Sequence, residues 1–316
     1  MIISKTPFRI SFLGGGTDYP AWFQENGGSV LGTTIDKYCY IMVRDLPPYF
    51  DDKFRVVYRL EEFVEYVDAI QHPKVRECLR YLRVDNGMEV IHWSDMPARK
   101  GMGTSSSFTV GLLNALCRGK ITKPGLAEDA VYIEQKMCGE SVGNQDQYHS
   151  TFGGFNRIDF GKEVKVTPVN GLCLEPYLIL VDTGSYRIAS RIASEQIREI
   201  GKHQSALSEM KAMVDKGIRM LNDCDVESFA HLVNDSWELK KTLSPSISNP
   251  KIDLYHSIAM KNGAMGGKLL GAGGEGYMLF LADPKIQPQI LKVLGLKSIS
   301  FKFETEGSTI IYADNN

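Results

Sequence analysis

Apolar and polar positions alternate at strand spacing near the start of the chain. FRISFL at residues 8–13 and IDKYCYIMV at 35–43 predict two strands, separated by the glycine-rich GGGTDYP and closed off by Pro47 and Pro48. From 61 to 82 the apolar residues recur at helical spacing, interrupted by Pro73, which predicts a charged helical stretch. EVIHWSD at 89–95 returns to strand text. Phe108, Leu112, Ala115 and Leu116 then fall on one helical face, and a second helix is predicted over 127–139. The glycine- and amide-rich run 143–160 predicts a loop followed by a strand.

The second half opens with a strand, LILVDTG, at 178–184. Long helical patterns follow over 188–221, with Gly201 placed to split or bend the first, and over 226–241. AMGGKLLGAGGEGYMLFLAD is a glycine-rich turn running into an apolar strand, and SISFKFET is the final strand predicted. No internal repeat appears. The weakly patterned stretch before 178 places a domain boundary, giving units 1–170 and 171–316.

Charge and cysteine usage narrow the partners. Lysine and arginine total 36 against 38 acidic residues, a net charge of −2 that offers no field for nucleic acid or an anionic membrane. Cys39, Cys78, Cys117, Cys138, Cys173 and Cys224 form no CxxC pair and read as thiols in a reducing compartment. With no convincing signal peptide or membrane-length apolar run, the expectation is a soluble cytoplasmic protein.

The stretch RKGMGTSSSFTVG at 99–111 carries the first chemical question. One reading is a turn followed by a helix capped by Thr104 or Ser105. The other is a phosphate cradle: Gly101 and Gly103 let backbone approach a ligand, and a helix start presents N–H groups and hydroxyls to an anion. The run is neither a Walker A loop nor a completed GxGxxG, and on spacing alone both readings stay open.

Three other regions add weight to phosphate. SFLGGGTD offers Asp18 after three glycines, with Arg9 on the preceding strand. GNQDQ offers Asp146 between polar neighbours, and KLLGAGGEG gives another N–H-rich turn after Lys268. Singly, the aspartates read as turn residues. Together they resemble the parts for phosphoryl transfer: phosphate donors, a metal carboxylate, and a carboxylate near the accepting hydroxyl.

PFRISFLGGGTDYP, PARKGMGTSSSF and KLLGAGGEG occur in the order of the three signature regions of the kinase superfamily named for galactokinase, homoserine kinase, mevalonate kinase and phosphomevalonate kinase, the GHMP kinases. The chain resembles this family over nearly its whole length. KTPFRISFLGGGTDYPAWF and GNQDQYHSTFGGFN resemble most closely its bacterial heptose 7-phosphate kinase members. The resemblance implies a two-domain α+β fold, with an N-terminal domain like domain 2 of ribosomal protein S5 and a C-terminal ferredoxin-like domain. It also implies transfer of the ATP γ-phosphate to the anomeric hydroxyl of D-glycero-D-manno-heptose 7-phosphate, feeding nucleotide-activated heptose for surface glycans.

Carried over by position, the resemblance makes Asp146 the residue that takes or orients the acceptor proton and Arg9 the cation beside the reacting phosphate. Lys100, Gly101, Met102, Gly103, Thr104, Ser105, Ser106 and Ser107, with Gly271, Gly273 and Gly274, are implied to surround the ATP phosphates. Met102 stands for the usual leucine and Thr104 for a serine. Asp18 and Tyr19 are implied on the sugar, and Ser105 and Glu134 on Mg²⁺. The distal phosphate of the sugar calls for an arginine fork, with Arg157, Arg187 and Arg191 as candidates and Arg187 preferred. The implied partners are ATP and a sugar phosphate, with a monomer or homodimer. A kinase for an unphosphorylated sugar such as fucose and a catalytically silent ATP- or sugar-binding regulator are the rivals.

Overall fold

In the computed structural model, residues 1–98, 100–184 and 189–314 are described. The elements in chain order are β1 (Ile2–Leu13), α1 (Pro20–Asn26), β2 (Gly28–Asp45), β3 (Phe54–Val57), β4 (Glu61–Val64), α2 (Pro73–Tyr81) and β5 (Met88–Ser94). Next come α3 (Thr104–Leu116), α4 (Lys123–Tyr132), α5 (Gln145–Phe152), β6 (Phe155–Phe160) and β7 (Lys165–Pro168). The second half holds β8 (Leu178–Asp182), α6 (Ala189–Glu199), α7 (Gln204–Asn222), α8 (Val226–Lys241) and α9 (Pro250–Lys261). It ends with β9 (Gly266–Leu269), β10 (Tyr277–Leu281), α10 (Gln287–Leu294), β11 (Lys297–Ile299), β12 (Phe303–Glu304) and β13 (Thr309–Ala313).

The first sheet runs β13-β1-β2-β5-β3-β4, with β6 and β12 also paired to β2 and β7 paired to β6. β2 is long enough to hold two neighbours end to end: Gly28–Thr33 pairs with β6 and Cys39–Asp45 with β5. From Phe8 to Leu13 every residue of β1 is buried, because helix α3 covers the sheet there while helices of the second half cover its other end. This explains why a segment that alternates on paper is apolar and polar inside: Arg9 and Ser11 are buried as well.

The second sheet is antiparallel, in the order β11-β8-β10-β9. Renumbered within this half, strands 4-1-3-2 with helices after the first and third give the βαββαβ ferredoxin-like arrangement that the sequence implied. β7 and β8 lie in different sheets, as a division near 170 would require. The tail departs from it: β12 and β13 return to pair with β2 and β1 of the first sheet.

Several predicted elements change. The helix predicted over 61–82 is a strand followed by a later helix, because Glu61–Val64 pairs with β3 and Pro73 starts α2 with the His72 ring accepting from the Val75 N–H. SISFKFET splits between the two sheets. The loop predicted from 143 contains α5, which buries Gln147, Tyr148, His149, Ser150 and Thr151. The pattern over 188–221 breaks at Ile200–Lys202, around Gly201 as expected. Among the described residues no helix is long and apolar enough to cross a membrane.

Candidate active site

Arg9 organises the site from the middle of β1. It is 3% exposed, and a guanidinium survives such burial only with its donors used. Its Nε and Nη2 lie 2.7 and 2.6 Å from Asp146 Oδ1, and its Nη1 donates to the Gly101 carbonyl at 2.6 Å. Its backbone N–H donates to the Met102 carbonyl, tying β1 to the glycine turn. Asp146 sits in the first turn of α5, where the helix N-terminus favours a carboxylate. Enclosure by protein nevertheless raises its pKa above the ordinary value; Arg9 pulls it back, and Asp18 pushes it up further. The result is a carboxylate with more than ordinary proton affinity, held against a fixed cation.

The turn before α3 settles one of the open readings. Neither Thr104 nor Ser105 caps the helix. Gly103 occupies the cap position at φ +71°, with no side-chain cap, and the hydroxyl residues are inside the first turn. The helix therefore starts with its N–H groups uncovered by any cap side chain, which is the arrangement that suits an anion. A Cβ on Gly103 would lie 3.2 Å from Arg9 Cγ and 3.3 Å from the Asp146 carboxylate, so the turn rests directly on the pair.

The third glycine region closes on the second. A Cβ on Gly101 would lie 2.3 Å from the Leu270 carbonyl oxygen, and one on Gly271 would lie 2.5 Å from Gly101 Cα. Gly101 is at φ +85° and Gly271 at +79°. Both the backbone angle and the close approach thus require glycine. Gly273 packs on Ile247 and Gly274 donates its N–H to the Ile247 carbonyl, so these two shape the loop, and the Gly274 amide is already committed within the protein.

On the other side of Asp146, Asp18 is 2% exposed. It accepts from the Gly16 N–H at 2.9 Å and the Gln145 N–H at 3.3 Å, pinning the start of α5 to its own loop. Tyr19 is buried next to it, and burial, then Asp18 and Asp146, raise its phenol pKa, keeping it a neutral donor.

Other predicted residues are placed differently. Lys100 does not face an open phosphate site: its ammonium lies 2.6 and 2.8 Å from the Asp182 carboxylate of β8. Ser107 is fully buried, and its hydroxyl contacts the Pro7 and Gly103 carbonyls and Ser150 Oγ, which makes it a fastening between β1, α3 and α5. Arg157 is held by Asp159 and Asp215. Arg187 lies outside the described residues, and so does the side chain of Arg191.

The implied metal pair also departs from expectation. Glu134 is fully buried and accepts from Lys74 at 2.8 Å, Thr109 at 2.6 Å, Gln147 at 2.7 Å and Ser106 at 2.9 Å. The hydroxyl beside it belongs to Ser106, whereas Ser105 is exposed. A cation at Glu134 would have to displace the Lys74 ammonium, which already supplies the positive charge. Among the described residues no group of three or more histidine, cysteine, aspartate or glutamate side chains could hold a metal. The residues in this arrangement do not fit a protein-built Mg²⁺ site, and Glu134 instead joins α2, α3 and α5.

Sequence reading missed Lys74, Gln147 and Lys240: on paper the two lysines look like solvated helix residues and Gln147 like a loop amide. Lys240 lies in the last turn of α8, is 7% exposed, and donates to the Gly271 carbonyl at 2.6 Å. Lys268 is likewise buried, its ammonium given to the Phe12 carbonyl at 2.7 Å.

Comparison with known proteins gives a consistent result. Residues 67–154 match the GHMP kinases N terminal domain. The chain is 31% identical to the D-glycero-alpha-D-manno-heptose 7-phosphate kinase of Campylobacter jejuni, over 97% of each chain. It is 26% identical to the L-fucokinase/L-fucose-1-P guanylyltransferase of Bacteroides fragilis, over 93% of this chain and 36% of that one. The crystal structure of a D-glycero-D-manno-heptose 1-phosphate kinase from Bacteroides thetaiotaomicron superposes with a TM-score of 0.80 at 23% identity, over 99% of this chain and 100% of the other, a likeness of fold.

Proposed function

The chain belongs to the GHMP kinase family and is an ATP-dependent phosphotransferase acting on a sugar hydroxyl; from that premise we propose that its acceptor is the anomeric hydroxyl of D-glycero-D-manno-heptose 7-phosphate. The product is the 1,7-bisphosphate, a precursor of nucleotide-activated heptose for surface glycans. The observation that carries this choice is the 31% identity over 97% of both chains to a heptose 7-phosphate kinase.

The geometry supports the chemistry. ATP phosphates lie on the uncapped start of α3, between the Gly101–Gly103 turn and the Gly271 loop. Magnesium accompanies the nucleotide as part of the Mg·ATP substrate. The acceptor lies beside Asp18 and Tyr19, with its hydroxyl on Asp146. As the acceptor oxygen bonds to Pγ, the bond from Pγ to the β,γ-bridging oxygen breaks and its electron pair leaves with ADP. The acceptor proton passes to Asp146, whose raised pKa suits it to hold that proton. A loose transition state demands little nucleophilicity, so positioning and charge dominate. Arg187 is the proposed partner of the distal phosphate, and 1–170 and 171–316, with the tail strands returned to the first sheet, are the proposed units. The Arg9–Asp146 pair opposes a silent regulator.

A panel of free sugars and their terminal phosphates with Mg·ATP, followed by NMR of the product, tests the acceptor. Preferred turnover of the heptose 7-phosphate at its anomeric oxygen is expected. A strong preference for free fucose or another hexose would replace this reading with the fucokinase-like one.

A further inference from the structure

Among the described residues, a buried cation beside the proposed transfer centre lies outside all three signature motifs. Lys240 comes from α8, in the second half of the molecule. Its ammonium reaches the Gly271 carbonyl, on the loop that touches Gly101, and Gly101 in turn accepts from Arg9. On its other side it faces the first glycine loop. A Cβ on Gly15 would lie 4.0 Å from Lys240 Nζ and 3.7 Å from both Ser11 Oγ and Gln145 Nε2. Ser11 Oγ and Gln145 Oε1 are buried there without a hydrogen-bond partner. Lys240 thus stands between the loop assigned to the donor phosphates and the loop assigned to the acceptor.

A lysine ammonium has three donors, and the Gly271 carbonyl takes one. The groups facing it are Asp18 from the first glycine loop, Asp146 from α5, Arg9 from β1 and Lys268 from β9. Neither carboxylate forms an ion pair with it: Asp146 is paired with Arg9 and Asp18 with backbone N–H groups. An ammonium buried in this way and left without a paired carboxylate calls for an anion from outside the protein.

We infer that Lys240 is a catalytic residue whose ammonium contacts the transferring phosphoryl group, bridging the Gly271 loop and the acceptor. The inference rests on the transfer centre lying at Arg9 and Asp146. A fixed cation there stabilises charge on the equatorial oxygens through the loose transition state. Burial lowers the Lys240 pKa to about 8, with Asp18 and Asp146 raising it and Arg9 lowering it. The free enzyme therefore loses this charge as pH rises through about 8. A bound phosphoryl group favours the protonated form, so the limb in kcat lies at higher pH than the limb in kcat/KM.

The test compares wild type, Lys240→Met, Lys240→Arg and Asp146→Asn on whichever acceptor of the panel wild type phosphorylates, with pH profiles and melting curves. Lys240→Met should lower kcat about 10²–10³-fold with small changes in KM. Lys240→Arg should recover part of the rate and remove the alkaline limb of kcat/KM near pH 8. Unchanged kcat in Lys240→Met, a loss confined to acceptor KM, or the same alkaline limb in Lys240→Arg would overturn the inference. If Lys240→Met fails to fold, the Lys240→Arg profile decides alone. Full turnover by Asp146→Asn would show instead that the transfer centre is misplaced, whatever the lysine variants do.

Discussion

Replacing Lys74 by methionine removes the ammonium that contacts the fully buried carboxylate of Glu134. Lys74 Nζ lies 2.8 Å from Glu134 Oε1 and 3.1 Å from Glu140 Oε2, and Lys74 itself is 4% exposed. Burial alone lowers the pKa of this lysine, yet Glu134 and then Glu140 outweigh that and raise it, so the charge persists throughout the neutral range. Breaking a buried pair by removing one partner costs about 3–5 kcal/mol, because the other charge is stranded. Glu134 keeps three neutral donors from Ser106, Thr109 and Gln147, which places Lys74→Met near the lower end, about 3 kcal/mol. In a chain of 316 residues that corresponds to a melting temperature lower by roughly 4–5 °C.

Glu134→Gln is milder, because Lys74 retains Glu140. The double variant Lys74→Met/Glu134→Gln strands no fully buried charge, since Glu140 keeps access to solvent, and should recover most of the loss, with a coupling of about 2 kcal/mol in the cycle. Urea unfolding followed by circular dichroism measures all four corners. A cost below about 1 kcal/mol for Lys74→Met, or simple additivity in the double variant, would refute the hub. Activity separates the hub from a metal ligand. As a hub, Glu134→Gln leaves the Mg²⁺ concentration for half-maximal rate unchanged, whereas loss of a magnesium ligand would raise it by about tenfold or more.

Two further outcomes are expected at the site. Asp146→Asn should fold and bind nucleotide but lose turnover by about 10²–10⁴-fold. In wild type, kcat/KM should fall on acidification through a pKa above the ordinary aspartate value, since the carboxylate must be unprotonated to accept the acceptor proton; a limb at or below that ordinary value in a pH-rate profile would contradict the enclosure argument. Gly101→Ala places a Cβ 2.3 Å from the Leu270 carbonyl at φ +85°, so it should weaken ATP binding by forcing the two glycine loops apart; unaltered nucleotide affinity by calorimetry would show that their contact is dispensable.

Elements whose stability is local or strictly periodic were legible from the chain. The strands at 8–13, 35–43, 89–95 and 178–184 and the helices α3 and α8 are of this kind, as are the three glycine regions. Long-range pairing was the misleading factor. EEFV shares helical spacing with the residues after it, but its backbone is claimed by β3, and SISFKFET is divided between two sheets because the chain crosses from one to the other there. α5 has unremarkable composition, and burial of Tyr148, His149, Ser150 and Thr151 makes it a helix. At the site, Arg9, Asp18 and Asp146 were legible because they flank glycine turns. Lys74 and Lys240 were not, since a helix lysine carries no mark of being buried until its neighbours are known.

The positive groups of the site divide by what already neutralises them. Lys100 is matched by Asp182 and Lys74 by Glu134 and Glu140, whereas burial, with Lys240 and Arg9 nearby, pushes the Lys268 pKa well down and disfavours its charge altogether. The motif lysine beside the glycines is therefore spent on joining the second sheet to the loop. Arg9 is matched by Asp146, but only while that carboxylate is charged. In the proposed transfer Asp146 becomes neutral as it takes the acceptor proton, and the Arg9 charge, until then compensated, becomes available to the phosphate being attached. The Arg9 charge is thus weakest before transfer, when an unscreened cation would hold ATP without lowering the barrier, and strongest as transfer completes. Differential stabilisation of that kind accelerates the chemical step, and a cation without such a partner in the place of Arg9 would hold ground state and transition state more nearly alike.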